Sequence, residues 1–130
     1  MPNETPQPRP SRGLSVLIVE DEFLIALDLQ MMLEDAGHSV LGPAGTVAAA
    51  LRLLEGTPPD VATLDLNLRG QLVVPVAVRL RDLQIPFVLA SAYASRGFDG
   101  SEALAGAENV GKPIHPRRLL DALGRAVGSA

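Results

Sequence analysis

Five side chains of chemically useful type stand at or just past the ends of short apolar runs. Asp65 closes Val61-Ala62-Thr63-Leu64, and the pair Glu20-Asp21 closes Leu14-Ser15-Val16-Leu17-Ile18-Val19. Ser91 closes Pro86-Phe87-Val88-Leu89-Ala90, and Lys112 lies two residues beyond Glu108-Asn109-Val110. A carboxylate at the end of a buried run is unfavourable unless a partner, a cation or a reaction compensates it. Two carboxylates about 4 Å apart repel by roughly 4 kcal/mol at an effective dielectric near 20. Three together call for a hard cation with room left for water, which suits Mg2+ or Mn2+. With a metal seated, Asp65 is a carboxylate nucleophile toward phosphorus, giving an aspartyl-phosphate. The new dianion needs a hydroxyl and an ammonium beside it, and Ser91 and Lys112 are the right types.

The elements that must position these groups follow from periodicity. The run Leu14–Val19 has the β-branched character of a fully buried parallel strand. A helix is expected from Phe23 to Ala36, with Leu24, Leu27 and Met31 on its buried face and Gly37 as its stop. Ile25, Leu29, Met32 and Leu33 lie elsewhere around it, an apolar surplus that suits either a partner or tight packing. His38 to Gly42 predicts a second strand, Pro43 to Gly45 a turn, and Thr46 the cap of a helix through Glu55. The third strand begins after Pro58-Pro59. Pro75 fits only a first helical turn, so the next helix starts close to Val74. Pro86–Ser91 and Glu108–Val110 predict strands four and five, and Pro116 to Val127 a closing amphipathic helix. Between 94 and 107, Gly97, Gly100 and Gly106 weaken any helix and predict the most mobile part of the domain. Strands recurring about every 20 residues with helices between them give a doubly wound parallel α/β sheet of five strands. The working groups of such sheets gather at the carboxyl ends of the strands.

Composition bounds the rest. The chain of 130 residues is 47% hydrophobic and only 3% aromatic, enough for one domain with an aliphatic core. A net charge of −4 argues against nucleic acid as a main partner. Without cysteine there is neither a disulfide framework nor a thiolate metal site. No apolar run approaches membrane-spanning length, so the expected protein is soluble, cytoplasmic and not membrane-bound. It is expected to be a monomer or weak dimer. Residues 1–13 carry four prolines and read as a disordered tail, leaving 14–128 as the folded domain. Lys112 is the single lysine among eleven basic residues; codon bias explains the scarcity but not the position. His38 and His115 lack metal spacing, and Gly42-Pro43-Ala44-Gly45 matches no phosphate loop.

Glu20-Asp21, Asp65, Ser91 and Lys112-Pro113, in this order at strand ends, resemble the response-regulator receiver domain. That resemblance covers residues 14–128 and implies a flavodoxin-like strand order of 2-1-3-4-5. It implies that Asp65 accepts a phosphoryl group from a histidine kinase or phosphotransfer protein. It further implies that Asp21, Asp65 and the backbone carbonyl of Asn67 hold Mg2+, with Glu20 helping through water. Ser91 and Lys112 would stabilise the phosphate, and the Lys112-Pro113 bond would be cis. Pro86-Phe87-Val88-Leu89-Ala90-Ser91-Ala92-Tyr93 is similar to the Pro-Phe-x-Phe-Ala-Thr-Gly-Tyr signature of an alphaproteobacterial subfamily of often single-domain regulators. Leu66-Asn67-Leu68 and Pro75-Val76-Ala77 fit the same group, which implies general stress signalling with kinases of the HWE or a related type. Departures are Leu89 for Phe, Ser91 for Thr and Ala92 for Gly. Asn109 stands three before the lysine, where most members carry an aromatic switch residue, and Tyr93 is the candidate substitute.

The expected function is a stand-alone phospho-acceptor that changes partner binding and is not an enzyme beyond its own phosphorylation and dephosphorylation. Two alternatives compete. One is a pseudo-receiver that binds an unknown downstream protein without phosphorylation. The other is a haloacid-dehalogenase type phosphatase, disfavoured because Asn67 occupies the place of its second acid.

Overall fold

The aliphatic runs build a sheet buried on both faces, as parallel strands must be. The computed structural model describes residues 13–92 and 102–128. In chain order the elements are β1 (Ser15–Val19), α1 (Phe23–Asp35), β2 (Ser39–Ala44), α2 (Val47–Leu53) and β3 (Val61–Leu64). A two-stranded hairpin follows, β4 (Asn67–Leu68) and β5 (Gln71–Leu72), then α3 (Val74–Asp82), β6 (Phe87–Leu89), a 3-10 turn at Glu102–Leu104 and α4 (Pro116–Gly128).

The main sheet is parallel with order β2-β1-β3-β6. Alternate residues of each strand serve opposite layers. Leu17, Val19, Ala62 and Leu64 pack with Val47, Ala50, Val76 and Leu80 of α2 and α3. Val16, Ile18, Val61 and Val88 pack with Leu29, Leu33, Leu119 and Leu123 of α1 and α4. The doubly wound class is the one expected, with one fewer strand. The segment predicted as strand five is reduced to a single bridge, Leu89 to Asn109. That shortening follows from Asn109, a poor strand former whose side chain competes for backbone hydrogen bonds.

The phase of α1 differs from expectation. Ala26, Leu29 and Leu33 are buried, whereas Leu24 is 75% exposed, Leu27 40% and Met31 54%. A helix apolar on nearly every side carries no phase in its sequence, so packing against β1 decides which stripe is covered. The second strand also runs on into the predicted turn, to Ala44, through Gly42 in a left-handed conformation (φ +97°). A Cβ at Gly42 would come within 2.9 Å of the Ala44 amide nitrogen and 3.1 Å of the Ile18 carbonyl oxygen, so glycine is required there. The Gly42-Pro43 bond is cis. Thr46 caps α2, its hydroxyl accepting the Ala49 N–H at 3.0 Å, and α3 begins at Val74 with Pro75 in its first turn. Residues 1–12 and 93–101 lie outside the described residues. The expected tail and most of the expected weak helix therefore fall there.

Thr63 sits between Ile18 and Val88 in the sheet, buried, and its hydroxyl has no hydrogen-bond partner among the described residues. An orphaned buried hydroxyl costs on the order of 1–3 kcal/mol. Thr63→Val is therefore expected to raise the free energy of unfolding by about 1 kcal/mol, measured by urea denaturation; an unchanged or lower value would contradict the orphaned hydroxyl.

His38 closes the lower edge of the sheet. Its Nδ1 accepts the Leu14 N–H at 2.9 Å, and partial burial lowers its pKa below the ordinary value of 6.5. Protonation removes that acceptor. Because the unfolded chain binds the proton more readily, this contribution is present at neutral pH and is lost as pH falls from about 6.5. Asn at this position keeps an acceptor and does not titrate. The wild-type melting temperature should therefore fall further than that of His38→Asn between pH 7 and pH 5, and parallel curves would remove His38 from the account.

Candidate functional site

The register of the sheet brings the predicted residues to one edge. Val19 pairs with Leu64, and the Asp65 N–H donates to the Val19 carbonyl at 2.9 Å. Glu20 and Asp65 therefore leave adjacent strands side by side. Leu64 pairs with Leu89, and the Ala90 N–H donates to Leu64, which sets Ser91 beside them. The bridge at Asn109, with the Val110 N–H donating to Leu89, delivers Lys112 over the same edge.

Glu20, Asp21 and Asp65 each offer a carboxylate oxygen, and these lie within 4.8 Å of one another. The Lys112 ammonium reaches into the cluster, 3.0 Å from Glu20 Oε1 and 3.3 Å from Asp65 Oδ2, with its side chain 13% exposed. Burial pushes the Glu20 carboxyl above its ordinary pKa, and the lysine charge and the Glu22 N–H bonded to Oε2 only partly offset this. At Lys112 burial works against the charged form, but Glu20 and Asp65 outweigh it and raise the pKa. The ammonium therefore stays charged while one of its carboxylates remains under strain from desolvation. The third carboxylate, Asp21, meets Arg69 Nε at 3.4 Å, and Arg69 is largely exposed.

Glu20 Oε1 is buried, and the cation it meets among the described residues is the Lys112 ammonium at 3.0 Å. An anionic oxygen in that condition, beside two more carboxylates, fits a small divalent cation with oxygen ligands. Glu20, Asp21 and Asp65 are the side chains able to hold one. The Asn67 side-chain oxygen accepts the Gly70 N–H at 2.7 Å.

Ser91 is buried, and its N–H donates to Asn109 Oδ1 at 3.2 Å. The Lys112-Pro113 bond is cis. Tyr93, the candidate switch residue, lies outside the described residues. The roles of four residues escaped the sequence reading. Arg69 and Gly70, at φ +55° and +85°, form the two-residue loop of the β4–β5 hairpin and aim the arginine at Asp21. Gln71 accepts the Val47 N–H at 3.3 Å, tying the hairpin to the start of α2. Asn109 was read as part of the fifth strand and as a missing aromatic, not as an acceptor for the Ser91 N–H. Gly70 was the one turn signal there; Arg-Gly between Asn67-Leu68 and Gln71-Leu72 lacks the dipeptide and the alternation that mark a hairpin.

The family model for the response regulator receiver domain matches residues 16–124. This chain belongs to that family. The phyllosphere-induced regulator PhyR of Methylorubrum extorquens is 31% identical over 115 residues, covering 86% of this chain and 43% of that protein. The solved response regulator PhyR from Brucella abortus superposes with a TM-score of 0.77 at 29% identity, covering 92% of this chain and 51% of that one. The receiver domain of a modulated diguanylate cyclase from Desulfovibrio desulfuricans G20 superposes at 0.81 with 28% identity, covering 90% and 95%. The PhyR likenesses are consistent with the alphaproteobacterial subfamily. This receiver spans about half the length of the PhyR proteins it matches.

Within this receiver Lys112 is the one described cation set inside the acid cluster. Lys112→Met leaves the buried Glu20 and Asp65 charges facing each other. Removing one partner of a buried pair costs about 3–5 kcal/mol, and the partial exposure of Lys112 brings the expected loss to about 2–3 kcal/mol. Titrating the variant with Mg2+ should recover more stability than it does in wild type. Equal Mg2+ responses would show that the lysine does not balance the cluster.

Proposed function

We propose that this receiver accepts a phosphoryl group on Asp65 from a histidine kinase or phosphotransfer protein and signals by changing what it binds. The observation that carries this reading is the Asp65 carboxylate at the sheet edge, 3.3 Å from Lys112 and within reach of two further acids. An Asp65 oxygen attacks phosphorus, the O–P bond forms and the bond from phosphorus to the donor breaks. A Mg2+ or Mn2+ ion at Glu20, Asp21, Asp65 and the Asn67 carbonyl would supply charge neutralisation for the phosphoryl oxygens. Lys112 exchanges its contact with Asp65 for one with the new dianion, and the Ser91 hydroxyl adds a donor. The chain's chemistry ends with hydrolysis of its own acyl phosphate, so it acts as a switch and not as a turnover enzyme.

The donor's docking face is supported by α1, which begins two residues after Asp21. Phe23 and Leu24 are each 75% exposed, with Leu27 and Met31 further along the same exposed side. A contiguous apolar stripe next to a site signals a protein partner. No helix of the described residues is long and apolar enough to cross a membrane. A cytoplasmic place fits a kinase-coupled receiver, and the PhyR likeness supports a role in general stress signalling.

Intact-mass spectrometry after incubation with acetyl phosphate and Mg2+ tests the acceptor directly. A single phosphoryl adduct mapping to Asp65, absent from Asp65→Asn, is expected; a folded wild type that stays unmodified would sink the reading. Phe23→Ser with Leu24→Ser should slow phosphotransfer from the kinase at least tenfold while leaving acetyl phosphate labelling intact.

A further inference from the structure

Asn109 occupies a position that its side chain makes into a junction. Its Oδ1 accepts two backbone N–H groups, from Ser91 at 3.2 Å and from Gly111 at 2.9 Å. Its own carbonyl accepts from Arg118 of α4 at 3.1 Å. In the parallel ladder the Leu89 N–H donates to Glu108 and the Val110 N–H donates to Leu89. Continued by one step, that ladder would give the Ser91 N–H to the Val110 carbonyl. The Asn109 side chain takes that N–H instead, and with Gly111 it closes an Asx-turn in which Gly111 is left-handed at φ +76°. One oxygen thus ends the strand pairing and fixes the chain direction on both sides of the site.

The consequence lies in what the two N–H groups belong to. One is the amide of Ser91 itself. The other is the amide of the residue before Lys112. The hydroxyl and the ammonium assigned to the phosphoryl group hang from backbone held on a single acceptor. Resting on the phospho-acceptor reading above, we propose that Asn109 is the positioning residue of this site, a side-chain clip that sets Ser91 and Lys112 in register around Asp65 before phosphoryl transfer. Preorganised donors need no reorientation as charge develops, and loosening them slows transfer without touching the metal ligands.

The test compares wild type, Asn109→Leu and Asn109→Asp in the full chain, with acetyl phosphate as donor. Leu keeps the approximate volume and loses the acceptor; Asp restores the acceptor in the same place. The initial labelling rate of N109L at saturating acetyl phosphate should drop at least tenfold, while the Mg2+ concentration for half-maximal labelling stays within twofold of wild type. N109D should regain most of the lost rate. Should N109L fail to fold, Asn109→Ser, too short to reach both amides, replaces it with the same expectations. Labelling of the acceptor-free variant within twofold of wild type overturns the clip, as does an equally folded N109D no faster than N109L. A wild type that is never labelled overturns the acceptor reading itself and the clip with it, a result distinct from a labelled wild type matched by N109L.

Discussion

One buried ammonium among carboxylates governs how the upper edge of this fold is arranged. Lys112 lies 3.0 Å from Glu20 and 3.3 Å from Asp65, and both acids are below a tenth exposed. Desolvated carboxylates at this spacing cannot stand together without a cation, so the chain must return a basic residue to this edge after α3 and β6 have been laid down. The sheet order allows that return, because the segment after β6 comes back beside it at Asn109 and runs straight into Gly111 and Lys112. The last crossover and the acid cluster are thus parts of the same solution.

Much of this was legible from residue types and spacing. Short β-branched runs between prolines and glycines located the four strands. The rule that chemistry gathers at strand carboxyl ends picked out Glu20, Asp21, Asp65, Ser91 and Lys112, and the structure brings all five to one edge. The phase of α1 was not legible, because Leu24, Leu27 and Met31 are no more apolar than Leu29 and Leu33. Only the sheet beneath decides between those stripes. The fifth strand was over-read for a related reason: Val110 suggests a strand, but one side-chain oxygen at Asn109 ends the ladder. Side-chain to backbone bonds of that kind leave no periodicity to detect. Nor could the sequence pair Arg69 with Asp21, since that contact depends on two left-handed residues in a two-residue loop.

The site is asymmetric in a way that bears on its operation. Lys112 is buried and its carboxylate partners raise its pKa, so it remains a fixed charge through the physiological range. Arg69 is exposed and, among the described residues, pairs with Asp21 at 3.4 Å. Exposed ion pairs are worth about 0–1 kcal/mol, whereas removing one partner from a pair inside a low-dielectric cluster costs several times more. A divalent cation at Asp21 would therefore displace a weakly held arginine at little cost, with the lysine still between Glu20 and Asp65. Glu20, buried with Lys112 as its counter-ion, would share in the charge relief such a cation brings. The edge thus has one buried counter-ion and one exposed one, which lets three carboxylates be tolerated together and leaves the cluster suited to a metal.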